Sequence, residues 1–313
     1  MRKCVLLLAL LGGCASNDYS PSLYVTSQTQ TSVKKGLEEV LFDEASSGKI
    51  KMPIEKACLI AGGCDDLMVD FYERKFNELA LEITQGARGN DLEKAIYVSG
   101  ELSKRTKFVA NEYQFQKMLN LGSKEGNCVL HSIVLQKSFD LLGIKSGIIA
   151  NRTHQFNYID FNGRKYVDAT SPETGFIAGK EEIDDEESHK VSKEETVSNI
   201  YAVRASVVDF SGNVIEAEEI YEKGLKIYPK NQVILEDLYR LHRYFDLDKT
   251  IRDLDRYIDA CPQSSALHVH KARVLVELNK YNLAVEEMDR AILIDPEDKE
   301  MIEERGKYIL EHK

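Results

Sequence analysis

The sequence predicts an α+β core, one buried helix packed on a small antiparallel sheet, followed by an all-α repeat solenoid. Three observations predict it. A nearly continuous apolar segment follows Asn127-Cys128 and ends at Leu142-Gly143. Two short alternating runs flank Asn162-Gly163, a strong hairpin signal. Pro229, Pro262 and Pro296 recur at intervals of 33 and 34 residues near the C-terminus, the period of a repeated helix pair.

The first elements are helical. Val33–Glu44, Ile54–Ile60, Leu67–Ile83 and Leu92–Val109 carry apolar residues at helical spacing. Pro53 suits a first turn, while Gly62-Gly63 and Gly86 suit stops. Asn127 is a good N-cap for the next helix. Leu130, Val134, Leu135, Phe139 and Leu142 cover most of that helix, leaving Gln136, Lys137 and Asp140 as a narrow polar stripe. A helix so apolar is mostly buried, and Gly143 can close it. Strands follow at Ser146–Arg152, Gln155–Phe161 and Arg164–Ala169.

The N-terminus has the composition of an export signal. Met1-Arg2-Lys3 is basic, and Val5–Leu11 is an apolar run well short of the roughly 18 residues of a spanning helix. Leu11-Gly12-Gly13-Cys14 resembles the lipobox of bacterial lipoproteins. That resemblance implies cleavage of residues 1–13, a lipidated Cys14 and a lipid-anchored, periplasm-facing location in the cell envelope. Ala15 after the cysteine resembles outer-membrane sorting in a Gram-negative cell. Residues 14–32 are polar and rich in Ser, Thr, Gln and Asn, a flexible tether.

Net charge is −11, which argues against nucleic acid as a partner. More than half of that excess lies in Glu173–Thr196, where nine acids meet three lysines. Residues 173–197 therefore read as an acidic linker between a domain over 33–172 and a repeat region over 198–313. Cys58 and Cys64 are near enough in sequence for a disulfide in an exported chain, although spacing alone does not establish one.

The repeat region resembles the tetratricopeptide repeat. Ala272, Tyr281, Ala284, Ala291 and Asp295-Pro296 match one unit, and Ala205, Gly212, Ala217, Tyr221, Gly224 and Pro229 match another. Between them Thr250 and Tyr257 replace alanines, but Leu238, Leu241, Leu247, Ile251 and Leu254 keep helical spacing. The resemblance implies three repeats, a capping helix over Met301–Leu310 with Ile302, Ile309 and Leu310 as its apolar face, and a curved surface for a protein or peptide partner. The region 198–313 is expected to fold alone.

Cys128, His154 and Asp168 are the candidate chemistry. A thiol, an imidazole and a carboxylate form a nucleophile, its base and the group that orients the base. A cysteine at a helix N-terminus sits in positive potential, which favours thiolate. Over residues 122–172 the segments Asn127-Cys128, Leu142-Gly143-Ile144, His154-Gln155-Phe156 and Gly163–Thr170 resemble the transglutaminase-like enzymes of the papain-like superfamily. The resemblance implies thiol acyl transfer or hydrolysis at a protein or peptide amide, as in a cysteine acyltransferase or protease-like hydrolase, with no cofactor or metal. The chain lacks tryptophan, and Ala169 stands where the family usually has proline. Gln114, Gln116 and Asn120 are all open as oxyanion partners. Cys128, His131 and His154 would make only a sparse metal site. A non-catalytic assembly or interaction scaffold is the contrasting function. Strand parity adds one expectation. A three-residue loop, Phe161-Asn162-Gly163, would pair Asp160 with Arg164 and put His154 and Asp168 on one face, whereas a two-residue loop would separate them.

Overall fold

A computed structural model describes residues 35–109, 112–119, 125–150, 155–167, 189–243 and 246–311, with residues 164–167 and 311 described by backbone alone. The protein is mostly helical, with a small sheet and a tetratricopeptide-like helical region. Cys14, His154 and Asp168 lie outside the described residues, as do the predicted signal, the tether and most of the acidic linker. No helix among the described residues is long and apolar enough to cross a membrane.

Four helices come first: α1 (Leu37–Ser46), α2 (Ile54–Ala61), α3 (Asp66–Thr84) and α4 (Asp91–Arg105). Asn90 and Glu93 close a capping box on α4, each side chain taking the other's backbone N–H. The expected extension of this helix to Val109 fails. Thr106 turns extended, and β1 (Lys107–Phe108) pairs in parallel with β2 (Glu125–Gly126). A short α5 (Phe115–Leu119), which periodicity did not reveal, lies between them.

Helix α6 (Cys128–Leu141) is the buried helix of the core. Asn127 caps it, its side-chain oxygen accepting from the Leu130 N–H at 3.0 Å. At the other end Gly143 adopts φ +68. There the Ile144 N–H reaches Phe139 O at 2.9 Å and the Gly143 N–H reaches Asp140 O at 3.2 Å, the paired bonds of a Schellman stop. Helix α6 packs against β3 (Ser146–Ala150) and β4 (Gln155–Phe161).

The sheet has four strands in the order β5-β4-β3-β6, with β5 at Arg164–Val167 and β6 at His189–Lys190. Strand β6 pairs antiparallel with β3 from inside the predicted linker, so His189–Lys190 complete the sheet edge. The expected three-residue loop is corrected. Phe161 pairs with Arg164 and Asp160 with Lys165, leaving Asn162-Gly163 as a two-residue turn. Both turn residues have positive φ, +54 and +74, the conformation whose twist matches that of the strands. Register therefore gives no support to a shared face for His154 and Asp168.

The C-terminal region stacks three helix pairs. They are α7 (Lys193–Phe210) with α8 (Val214–Ile227), α9 (Gln232–Arg243) with α10 (Leu247–Ala260), and α11 (Ser265–Glu277) with α12 (Tyr281–Ile294). Helix α13 (Lys299–Glu311) follows as the cap. Its buried side chains are Met301 and Tyr308, while the expected Ile302 and Leu310 are exposed. The middle pair packs despite its missing alanines, because Tyr257 and Thr250 are themselves buried.

Helix α7 begins before residue 198, and its inner face is not free. It packs on α2 and α6, and one apolar cluster runs without a break from Leu41 through Val134 and Ile200 to Val274. Polar ties cross the same boundary. Tyr201 donates to Glu38 at 3.0 Å, Lys223 pairs with Glu38 at 2.8 Å, and the Ile50 N–H donates to Glu194 at 2.9 Å. A repeat region folding by itself would have to leave this surface open. The continuous core argues against that expectation.

Candidate functional site

Cys128 opens α6 and is half-buried. Burial pushes its thiol above the usual value; N–H groups of Gln155, Val129 and Cys128 itself pull the other way without reversing the shift. The start of β4 therefore lies near the first turn of α6, and the two elements pack together. In sequence, His154 immediately precedes Gln155.

The contact is held by a polar ladder along α6. Gln155 donates through Nε2 to Ser132 Oγ at 2.7 Å, one helical turn beyond Cys128. Asn157 donates through Nδ2 to Ser132 O at 3.1 Å, and Gln136 donates to Ser146 Oγ at 3.0 Å. Cys128, Ser132 and Gln136 are spaced by four, so they share one face. Alternation puts Gln155, Asn157 and Ile159 on the buried face of β4. Buried amides need partners, and these partners fix how β4 runs along the helix.

The ladder continues into the repeats. Asn199 on α7 donates through Nδ2 to Gln155 Oε1 at 3.2 Å. Asn231 donates through Nδ2 to Asn199 Oδ1 and to Ser198 Oγ, both at 2.9 Å, while its Oδ1 accepts the Ile234 N–H at the start of α9. Asn199 and Asn231 both line a groove of about 930 Å³. Its walls come from α7, α9, the turn at Cys261-Pro262 and His270 of α11, and Ala150 and His189 bring the sheet edge to one end. Gln155 thus links the helix that Cys128 opens to the groove wall through its side chain. Sequence periodicity marked Gln155 only as a strand residue; its amide partners come from distant segments and left no local signal.

The other candidates resolve differently. His131 shares a helix with Cys128, but its Nδ1 contacts Asn127 O at 2.7 Å and its Nε2 contacts Thr106 Oγ1 at 2.9 Å. Burial lowers its pKa. It ties α6 to the end of α4, and no cluster of metal-ligating residues exists among the described residues. Cys58 and Cys64 are free thiols, both buried, so the structure does not contain the bridge their spacing allowed. Among the oxyanion candidates, Asn120 lies outside the described residues, and Gln116 has a buried carbonyl oxygen with no partner.

Comparison with known proteins supports the repeat reading locally. Residues 265–298 match the tetratricopeptide repeat family, a span that begins with α11 and extends past α12 to the residue before α13. No curated protein matches the chain.

Proposed function

We propose that the repeat groove binds a protein or peptide and presents it to Cys128, a thiol nucleophile for acyl transfer or hydrolysis at an amide. Gln155 carries this reading, because it is bonded to Ser132, one helical turn beyond Cys128, and to Asn199 in the groove wall. In this mechanism His154 holds the thiolate as an ion pair and then protonates the leaving amine. Asp168 fixes the imidazole tautomer. Cys14 carries the lipid that anchors the protein in the cell envelope, periplasm-facing. A transglutaminase-like identity for the segment over 122–172 belongs to the same proposal.

The contrasting reading is a non-catalytic envelope scaffold that uses only the groove. The two-residue turn favours it, since that turn removes the parity argument for pairing His154 with Asp168.

Alkylation of the full chain with iodoacetamide across pH separates the readings. Burial alone disfavours the thiolate, so an unassisted Cys128 should react only at alkaline pH. A His154 ion pair lowers that inflection, giving rapid reaction near neutrality which His154→Ala abolishes. The buried Cys64 is an internal control; burial first, then Asp65 and Asp66, push its thiol up to about 11. If Cys128 reacts as slowly as Cys64 and His154→Ala changes nothing, the enzyme reading fails and the scaffold stands.

A further inference from the structure

We infer that the end of the protein where the chain enters at Lys35 is a lipid-contacting tip. Leu67, Phe210 and Ile215 form it, and it sets the body down on a zwitterionic bilayer surface. The inference rests on the lipid anchor at Cys14 proposed above. Among the described residues the two most exposed large apolar side chains are Phe210, at 96%, and Leu67, at 91%. Ile215 is 74% exposed. Apolar side chains scattered singly over a surface need no explanation, but a group gathered in one place marks an interaction site. The packing of the helices gathers these three.

Helix α1 runs antiparallel to α7. Glu44 accepts from the Met52 N–H, whose carbonyl receives Lys193 at the start of α7, whereas Glu38 accepts from Tyr201. The first turn of α1 therefore points toward the C-terminal end of α7. Phe210 lies about 13 Å past Tyr201 along that axis. Helix α8 returns from there with Ile215 in its first turn, and its Lys223 pairs with Glu38. Helix α3 starts at the same end. The Leu37 N–H donates to Asp66 at 3.0 Å, and Arg204 of α7 donates to Ala61 O just before α3. Leu67 thus stands in the first turn of α3, beside the point where the chain enters. The chain between Cys14 and Lys35 covers at most about 70 Å even fully extended. An anchored protein therefore keeps this end held to the bilayer, and a tethered contact needs little affinity of its own. Leucine, isoleucine and phenylalanine are side chains that enter the headgroup boundary. Asp65, Asp66 and Asp209 adjoin them in sequence and disfavour an anionic surface.

The chain contains no tryptophan, so Leu67→Trp, Phe210→Trp and Leu293→Trp each carry a single fluorescent reporter. Leu293 is the control, 84% exposed but near the end of α12 in the last helix pair. Residues 15–313 with an N-terminal polyhistidine tag are captured on phosphatidylcholine vesicles that contain nickel-chelating lipid. Attachment then does not depend on acylation of Cys14. On capture, Leu67→Trp and Phe210→Trp emission should shift to shorter wavelength. With acyl-brominated phosphatidylcholine each should lose about half its intensity or more, as a side chain within the acyl boundary does. Leu293→Trp should keep the emission of the uncaptured chain. Adding Phe210→Ser and Ile215→Ser to Leu67→Trp should weaken its quenching while leaving circular dichroism unchanged, since both positions are exposed. Quenching no greater at Leu67 and Phe210 than at Leu293 overturns the inference. So does undiminished quenching of Leu67→Trp in the serine background. Equal fatty-acid labelling of wild type and Cys14→Ala is a separate result, which overturns the anchor reading and the inference with it.

Discussion

Gly224 provides the sharpest test of the repeat packing. It lies inside α8, where glycine is about 1 kcal/mol less favourable than alanine, so Gly224→Ala in open space would stabilise the protein. The space is not open. A Cβ at Gly224 would stand 2.4 Å from Ile234 Cδ1 of α9 and 3.0 Å from Tyr201 Cβ of α7. The carbonyl of Gly224 also accepts from Ser198 Oγ at 3.0 Å, which pins α8 to α7. Ile234 can swing its terminal methyl, but Tyr201 Cβ moves only with its backbone. Overpacking of this kind costs about 1–3 kcal/mol. Set against the propensity gain, the expected net loss is about 1 kcal/mol. Gly100 in α4 and Gly306 in α13 are the controls. A Cβ at either meets nothing within 4 Å, so Gly100→Ala and Gly306→Ala should each gain up to about 1 kcal/mol.

Urea denaturation of residues 35–313, followed by circular dichroism, reads these changes as midpoint shifts at constant slope. The sign is decisive: Gly224→Ala moves the midpoint down while both controls move it up. Ile234→Val removes the nearer atom of the clash, so Gly224→Ala should cost less in that background than alone. If Gly224→Ala gains as much as Gly306→Ala, the close approach of α7, α8 and α9 is wrong, and with it the geometry that places Asn199 and Asn231 on the groove wall.

Two further outcomes follow from the turn and the N-terminus. At Gly163 a Cβ meets nothing within 4 Å but φ is +74, so Gly163→Val should cost about 1–2 kcal/mol through left-handed backbone strain alone, read as a lower denaturation midpoint; a neutral result would contradict the two-residue turn. Metabolic labelling with a fatty acid should mark the wild-type chain and not Cys14→Ala, and equal labelling of both removes the lipid anchor.

How much of this was legible in the sequence depended on how local each cause was. Helix α6 was legible at both ends because Asn127 and Gly143 act through bonds to residues three to five positions away. The repeats were legible because small residues and prolines recur at a fixed period. The strands β1, β2 and β6 were not legible. Each is two residues long, and each exists because tertiary placement sets it beside a partner edge. The loop length was misread for a different reason. Asn162-Gly163 suits both a two-residue turn and a longer loop, and only the longer one would put His154 and Asp168 on one face. The strands instead follow their twist, with Asn162 itself entering the left-handed region. Burial of the Asn127 side chain could not be read locally, since it depends on everything packed around the helix start.

The continuous core also explains how the repeats tolerate their ends. A solenoid exposes apolar faces at its first and last units, and terminal caps with polar outer faces normally cover them. At the C-terminal end α13 does this with Met301 and Tyr308 inward. At the other end no dedicated cap is needed. Val197, Ile200 and Tyr201 of α7 are fully buried, and α2 and α6 are the helices packed against α7 there. The helix carrying Cys128 is thus part of the surface that terminates the stack. Asn231, at the start of α9, is bonded to Asn199, and Asn199 to Gln155, so the groove and the thiol share one hydrogen-bonded wall. A partner that displaces Asn199 must break its hydrogen bond to Gln155 or move β4 along α6. Either change acts on the start of β4, which packs on the helix that Cys128 opens, so the alkylation rate of Cys128 should report on occupancy of the groove.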